Sequence, residues 1–172
     1  AGWFVNEAKA RALWDAGLAF ASVSIDFPDA ARHDAKRGLD GATQRAWNAV
    51  ESFRDTAPRG GRQVNVISVL MDSNWRDIEA LLLQSKAQGV GHQVTLLSTS
   101  GDRRADNGAD DVPPLGTSAH MLQLFDRYPH VRFFRDYFKR IDAFISGGQM
   151  PTCRAGAQSF NVDHVGNVAS CI

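Results

Sequence analysis

Hydroxyl and carboxylate side chains recur in this sequence where apolar, strand-like stretches run out. Ser24 and Asp26 follow one such stretch, Asp72, Ser73 and Asn74 a second, and Ser98, Thr99 and Ser100 a third. In parallel α/β proteins the ligand sits at the carboxyl ends of the strands. Groups of this kind beside helix starts could hold a sugar hydroxyl pair and an amino-acid head group; as helix caps and turn formers they would serve local structure alone. Arg45 lies early in a predicted helix, where a guanidinium either clamps a carboxylate through two parallel hydrogen bonds or faces solvent. His33 and Asp34 suggest an acid–base pair. Adjacent residues diverge on a helix, however, and Arg32, Lys36 and Arg37 surround them, so a solvated charged turn is the favoured reading.

A third group of chemical interest is the tail. Cys153 and Cys171 bracket a predicted hairpin with the spacing C-x12-G-x4-C. A hairpin brings its two ends together, so both sulfurs could reach one ion or cluster. Two thiolates complete neither a tetrahedral zinc site nor an iron–sulfur cluster. His164 is close in sequence, but a hairpin turn points it away from both thiols. Free buried thiols and a disulfide stand as the alternatives.

The elements that must position these groups follow from periodicity and punctuation. Asn6 caps a first helix that Gly17 stops, and residues 20–26 (FASVSID) read as a strand closed by Pro28. A short helical turn spans 29–36. Asp40 is the expected cap of a helix running to about Arg54, with Ala46, Trp47, Val50 and Phe53 inward. Residues 64–71 (VNVISVLM) are β-branched and apolar on both faces, as in parallel sheets. Ser73 or Asn74 is expected to cap the next helix, whose inner stripe is Ile78, Leu81 and Leu82. Gly89 and Gly91 end it before the strand 93–98. This alternation predicts a parallel sheet covered by helices.

Residues 99–116 carry no periodicity and form a long loop of the kind that is functional or disordered. Thr117 is expected to cap a helix bearing Met121, Leu122 and Phe125. A second stripe of Phe134, Tyr137, Phe138, Ile141, Phe144 and Ile145 belongs to the core. Gly147, Gly148 and Pro151 mark a boundary between residues 1–148 and a small unit over 149–172. There, 160–162 and 167–169 form the arms of a hairpin turning near Gly166.

Composition narrows the function classes. The chain has 172 residues, 44% hydrophobic and 22% charged, with 19 basic and 19 acidic side chains and no net charge. That balance lacks the basic excess of a nucleic-acid binder. No apolar run approaches the ~20 residues of a membrane span. Two cysteines are too few to staple a fold of this size, which leads to the expectation of a cytoplasmic protein with reduced thiols. Three parallel strands alone leave both sheet edges open. With the abrupt start Ala1-Gly2-Trp3-Phe4, this leads to the expectation that the chain is the downstream portion of a larger protein.

Taken in order, these pieces resemble one family. The stretch SVSIDFPDAARHDAKRG over residues 22–38 resembles the fourth-strand signature of radical S-adenosylmethionine (SAM) enzymes, a strand ending in Ser-x-Asp followed by His-Asp and Arg-Gly. The segment from Gly41 to Arg45 resembles that family's Gly-x-x-x-Arg helix start. VNVISVLMDSN is similar to its fifth strand, which ends near an Asn. Cys153 to Cys171 resembles the opening of a SPASM or twitch extension. The matches cover nearly the whole chain.

The resemblance implies part of a (β/α)6 partial TIM barrel, with parallel strands and flanking helices, followed by a small β-hairpin. It implies an enzyme whose [4Fe–4S] cluster, on a C-x3-C-x2-C loop, reduces SAM to a radical that abstracts hydrogen from a substrate, often a peptide. Ser24 and Arg45 would match residues on the SAM carboxylate. Asp26 and Asn74 would border the cofactor cavity, and Cys153 and Cys171 would be two ligands of an auxiliary iron–sulfur cluster. Neither the C-x3-C-x2-C triad nor the family's Gly-Gly-Glu motif occurs in this sequence. The expectation is therefore an inactive fragment whose missing partner is the upstream part of the same protein. The rival readings are a non-catalytic α/β domain that binds a nucleotide or a partner, and a thiol metal-binding module.

Overall fold

The computed structural model describes residues 2–97, 111–148, 152, 154, 156, 157, 159–163 and 165–170. Helix α1 (Glu7–Asp15) starts at Asn6, whose side chain accepts the Lys9 amide at 3.0 Å. It buries Ala10 and Trp14. The Trp14 indole donates to the Phe53 carbonyl at 3.2 Å, so the buried ring keeps its one polar atom satisfied. Strand β1 (Phe20–Ser24), helix α2 (Ala30–Arg37), helix α3 (Ala42–Thr56), strand β2 (Gln63–Leu70), helix α4 (Ile78–Ala87) and strand β3 (Gly91–Leu96) follow in the expected alternation.

The three strands form one parallel sheet in the order β1-β2-β3, with Val23 opposite Val66 and Val66 opposite His92. Helix α3 packs on β1 and β2, and α4 on β2 and β3. Their meeting surfaces bury Val23, Ala46, Ala49, Val50, Val66, Leu70, Ile78, Leu81, Leu82 and Val94 in one core. Each large aliphatic side chain fully withdrawn from water stabilises by about 1.5–3 kcal/mol. On β1 only Ala21 and Val23 share that core; Phe20 and Ser22 are exposed. Beyond β3, the His92 amide donates to the His130 carbonyl at 3.0 Å and the Arg132 amide to the His92 carbonyl at 2.7 Å. This one-residue parallel bridge at Val131 continues the strand order where the sequence signalled only a helix stop at Pro129.

Helix α5 (Thr117–Arg127) and the short helices α6 (Arg135–Lys139) and α7 (Ile141–Ile145) close the end of the sheet with an aromatic cluster of Phe125, Phe133, Tyr137 and Phe138. Of the expected core stripe, Phe138 and Ile141 are buried and Tyr137 and Ile145 pack against the core, whereas Phe134 and Phe144 are exposed, because the segment breaks into two short helices at Arg140 rather than forming one. The tail carries the expected hairpin: β4 (Asn161–Val162) pairs antiparallel with β5 (Val168–Ala169). Among the described residues, no helix is long and apolar enough to cross a membrane.

Candidate functional site

The carboxyl end of the sheet is built around Asp26. After Ser24 the chain continues β1's ladder for one more bond, from the Ile25 amide to the Ile67 carbonyl at 3.0 Å, and then leaves the sheet. Asp26 is 5% exposed and fully engaged. Its Oδ1 accepts the Val69 amide at 2.9 Å and its Oδ2 accepts Arg37 Nη2 at 2.7 Å. Its own amide donates to His33 Nδ1 at 3.2 Å, and its carbonyl accepts Asn74 Nδ2 at 2.7 Å. A carboxylate can be buried here because a guanidinium and a backbone amide replace the lost water.

Asn74, 1% exposed, ties the ends of β1 and β2 together. Besides the Asp26 carbonyl, its Nδ2 reaches the Val69 carbonyl at 2.8 Å, and its Oδ1 accepts the Met71 amide at 2.8 Å. The expectation that Ser73 or Asn74 caps the next helix is corrected here: α4 begins at Ile78 after Asp77, and the Asn74 amide goes to the strand ends instead.

The pair at His33 and Asp34 is the second correction. The two side chains diverge, as adjacent helical residues must, but neither is merely solvated. His33 is 1% exposed. Its Nδ1 accepts from the Asp26 amide, so the ring is neutral with its proton on Nε2; burial, and then the Arg37 charge, hold its pKa below the ordinary histidine value. Asp34 turns the other way. It accepts the Thr43 hydroxyl at 2.6 Å, the Thr43 amide at 2.7 Å and the Gly41 amide at 2.6 Å, which hold its carboxyl below the usual range. Asp34, and not the expected Asp40, therefore caps α3.

These bonds leave a cavity of about 290 Å³ beyond the end of β1, lined by Trp3, Ser24, His33, Arg37, Leu39 and Ala42. It offers a hydroxyl, a neutral imidazole with one free donor, a guanidinium and an aromatic wall, with no carboxylate in the lining. Such a set suits a ligand with a hydroxyl-rich or anionic part and a planar or apolar part. Arg45 is exposed on α3, its guanidinium 5.9 Å above the Trp3 ring, and so stands beside this cavity.

Of the residues singled out from sequence, Ser24 lines the cavity, Asp26 and Asn74 form the scaffold behind it, and Arg45 stands next to Trp3. His33, Arg37 and Trp3 were missed as lining groups. The i, i+4 spacing of His33 and Arg37 was the available signal, since it puts both on one helix face. Ser98, Thr99, Ser100, Cys153, His164 and Cys171 lie outside the described residues. Among the described residues no group of three His, Cys, Asp or Glu side chains could hold a metal ion.

A set of salt bridges ties α2 to the carboxyl end of β2. Arg32 donates to Asp77 Oδ2 at 2.7 Å and to the Ser73 carbonyl at 2.6 Å, while it covers Phe27. Asp111 accepts the Ser73 amide at 2.9 Å and Lys36 at 3.0 Å, and its carbonyl accepts the Asp72 amide. Burial alone would raise the Asp111 pKa; Lys36 and Ser73 outweigh it and lower it. The segment after the undescribed residues 98–110 is thus fastened to the carboxyl end of β2.

No family model and no curated sequence matches this chain. Solved structures do match its fold. Native anSMEcpe with bound AdoMet (S-adenosylmethionine) superposes with a TM-score of 0.55 at 16% identity, over 86% of this chain and 36% of that one. Native anSMEcpe with bound AdoMet and the Kp18Cys peptide gives a TM-score of 0.58 at 15% identity, over 90% of this chain and 44% of that one. The shared feature is the fold. The chain spans less than half the length of either anSMEcpe chain.

Proposed function

We propose that this chain is the downstream part of a radical SAM enzyme and that its cavity at the carboxyl end of β1 receives AdoMet. The observation that carries the reading is that cavity, about 290 Å³ and lined by Ser24, His33, Arg37 and Trp3, in a fold shared with AdoMet-bound anSMEcpe. The donor set fits the ligand: hydroxyl and guanidinium groups for the amino-acid head group, and Trp3 as a flat wall for an apolar or planar part. Arg45 adds a second cation for the carboxylate from beside Trp3. Asp26 acts through its neighbours, because both of its oxygens are occupied; it fixes Arg37 and, with Asn74, holds the strand ends in place. Neutral His33 presents Nε2–H as a donor and carries no charge to repel a sulfonium.

A [4Fe–4S] cluster and AdoMet together would supply one-electron, hydrogen-abstracting chemistry. The cluster's three thiolates are not in this sequence, so the chain as given binds AdoMet without cleaving it. The peptide-bound anSMEcpe supports a peptide as the substrate class. Cys153 and Cys171 remain two thiolates for an auxiliary iron–sulfur cluster. This reading takes the strands as three of the six in a partial (β/α)6 barrel.

Calorimetric titration of the chain with AdoMet tests it. Saturable binding is expected, weaker by tenfold or more in Arg45→Ala, because a charge-assisted pair contributes roughly 1.5–3 kcal/mol, and weaker by several-fold in Ser24→Ala. Absence of binding, or the same affinity in both variants as in the unaltered chain, would sink the proposal.

A further inference from the structure

The opposite, amino-terminal end of the sheet holds a second cavity, of about 240 Å³, where β2 and β3 begin. Three arginines line it, Arg54, Arg62 and Arg132, and no carboxylate does. Arg54 is held by Asp55, through its Nε at 2.7 Å, and by Gln88. Arg62 is half-buried and Arg132 exposed, and among the described residues neither guanidinium has an acidic partner.

Asn65 makes this more than a basic patch. It lines the same cavity at 0% exposure, and neither its Oδ1 nor its Nδ2 has a hydrogen-bond partner among the described residues. Buried amides are almost always satisfied, so a fully buried pair of orphans marks a place where something else binds. The local geometry is specific. A Cβ on Gly91 would lie 2.2 Å from Asn65 Oδ1 and 2.8 Å from Arg132 Cγ, so only glycine lets both side chains approach β3. Oδ1 is packed against Gly91, and Nδ2 is the amide's donor still without a partner among the described residues.

We propose that this amino-end cavity binds a small oxyanion, a phosphate or carboxylate group, between the Arg62 and Arg132 guanidiniums and Asn65 Nδ2. Planar guanidiniums match oxyanions through paired donors. A neutral amide donor in the same lining would add direction to their charge. Along β2 the two cavities are separated by the four residues from Gln63, in this lining, to Ile67, which pairs with Ser24, or roughly 13 Å at ~3.3 Å per residue. The amino-end site does not rest on the AdoMet reading and would stand if that reading fell.

The test is calorimetric titration of the chain with inorganic phosphate, and separately with acetate, in a zwitterionic buffer at ionic strength fixed with sodium chloride. Saturable binding in at least one arm is expected, and which arm saturates identifies the oxyanion. Arg62→Gln and Arg132→Gln should each weaken it tenfold or more. Asn65→Asp, which sets a carboxylate against the anion, should abolish it. If Asn65→Asp does not fold, the two rim variants decide the matter, since neither arginine is part of the core. Heats no greater than chloride produces, or undiminished binding in the double variant Arg62→Gln/Arg132→Gln, would overturn the proposal.

Discussion

His92 is fully buried at the start of β3, and its ring sits in a chain of hydrogen bonds. Ser68 donates its one hydroxyl proton to the Ile25 carbonyl, so His92 Nε2, 3.0 Å away, must donate to Ser68 Oγ. His92 Nδ1 lies 3.0 Å from Ser85 Oγ, whose single proton is shared between that nitrogen and the Leu82 carbonyl, also 3.0 Å away. His130 Nε2 completes the run by donating toward Leu82 O at 2.9 Å and Ser85 Oγ at 3.1 Å. Burial, and to a lesser degree the His130 charge, pushes the His92 pKa down to about 3. The unfolded chain therefore takes up a proton near pH 6.5 that the native chain refuses. The stability from neutral His92 is complete above pH 6.5 and falls by about 1.4 kcal/mol per pH unit below it, until the native pKa is reached. His33 and His130, both lowered mainly by burial, add to the slope in the same direction. Urea unfolding at pH 7.5 and 5.5 should show the loss, and His92→Gln should reduce the difference between the two pH values. A difference unchanged in His92→Gln would mean that the ring does not carry this linkage.

Two helices share a device that local sequence does not announce. Helices α3 and α5 both follow a glycine in the left-handed region, Gly41 at φ 74° and Gly116 at φ 96°, and neither glycine can cap its helix with a side chain. The exposed amides are taken instead by a carboxylate from another helix. Asp34 of α2 serves α3, while Asp142 of α7 accepts the Gly116 amide at 3.0 Å and the Ser118 amide at 3.1 Å. Asp142→Ala should lower stability by about 1 kcal/mol, as loss of an N-cap does, and Asp142→Asn by less, both read from chemical denaturation. A cost equal to that of an exposed surface substitution would refute the cap. Asp34→Ala should also lower the unfolding midpoint, and it should loosen α3, one wall of the carboxyl-end cavity.

This device shows where sequence reading ends. The helix and strand alternation, the sheet's parallel sense and the tail hairpin were all legible from period and punctuation. Ser24 could be picked out from its place at a strand end. Asp34 as a cap was not legible, because its partners are seven and nine residues away and meet it only once α2 has folded back on α3. His33 and Asn74 misled for the same reason. Their types suit exposed turns, and only their bonds to Asp26, where the chain leaves β1 beside β2, make them interior. Asn65, inside an apolar strand, gave no signal apart from being polar, and its meaning depends on Gly91 in the neighbouring strand.

At the scale of the molecule, the sheet has two poles of different character. The carboxyl pole has a cavity with donors fixed by a buried ion pair, and the amino pole a cavity in which Arg62 and Arg132 have no acidic partner among the described residues. The hydrogen-bonded run from His130 through His92 to Ile25 crosses the core between them, which raises the question of whether ligands at the two poles sense each other. Coupling needs an element with two arrangements of similar energy that both ligands bias. From His92 through Ser68 to Ile25 the run has only one arrangement: reversing its direction would move a proton on His92 and deprive the Ile25 carbonyl of its donor. The two cavities are therefore expected to act independently, as sites more than 10 Å apart without shared partners do. In Arg62→Gln/Arg132→Gln the AdoMet affinity should stay within about twofold of the unaltered chain, the spread that additivity allows. In Ser24→Ala the phosphate affinity should do the same. A larger change in either cross-titration would mean that the sheet is not a rigid partition and that the run has a second arrangement. His92→Gln, which interrupts it, should then remove the coupling while leaving both binding events in place.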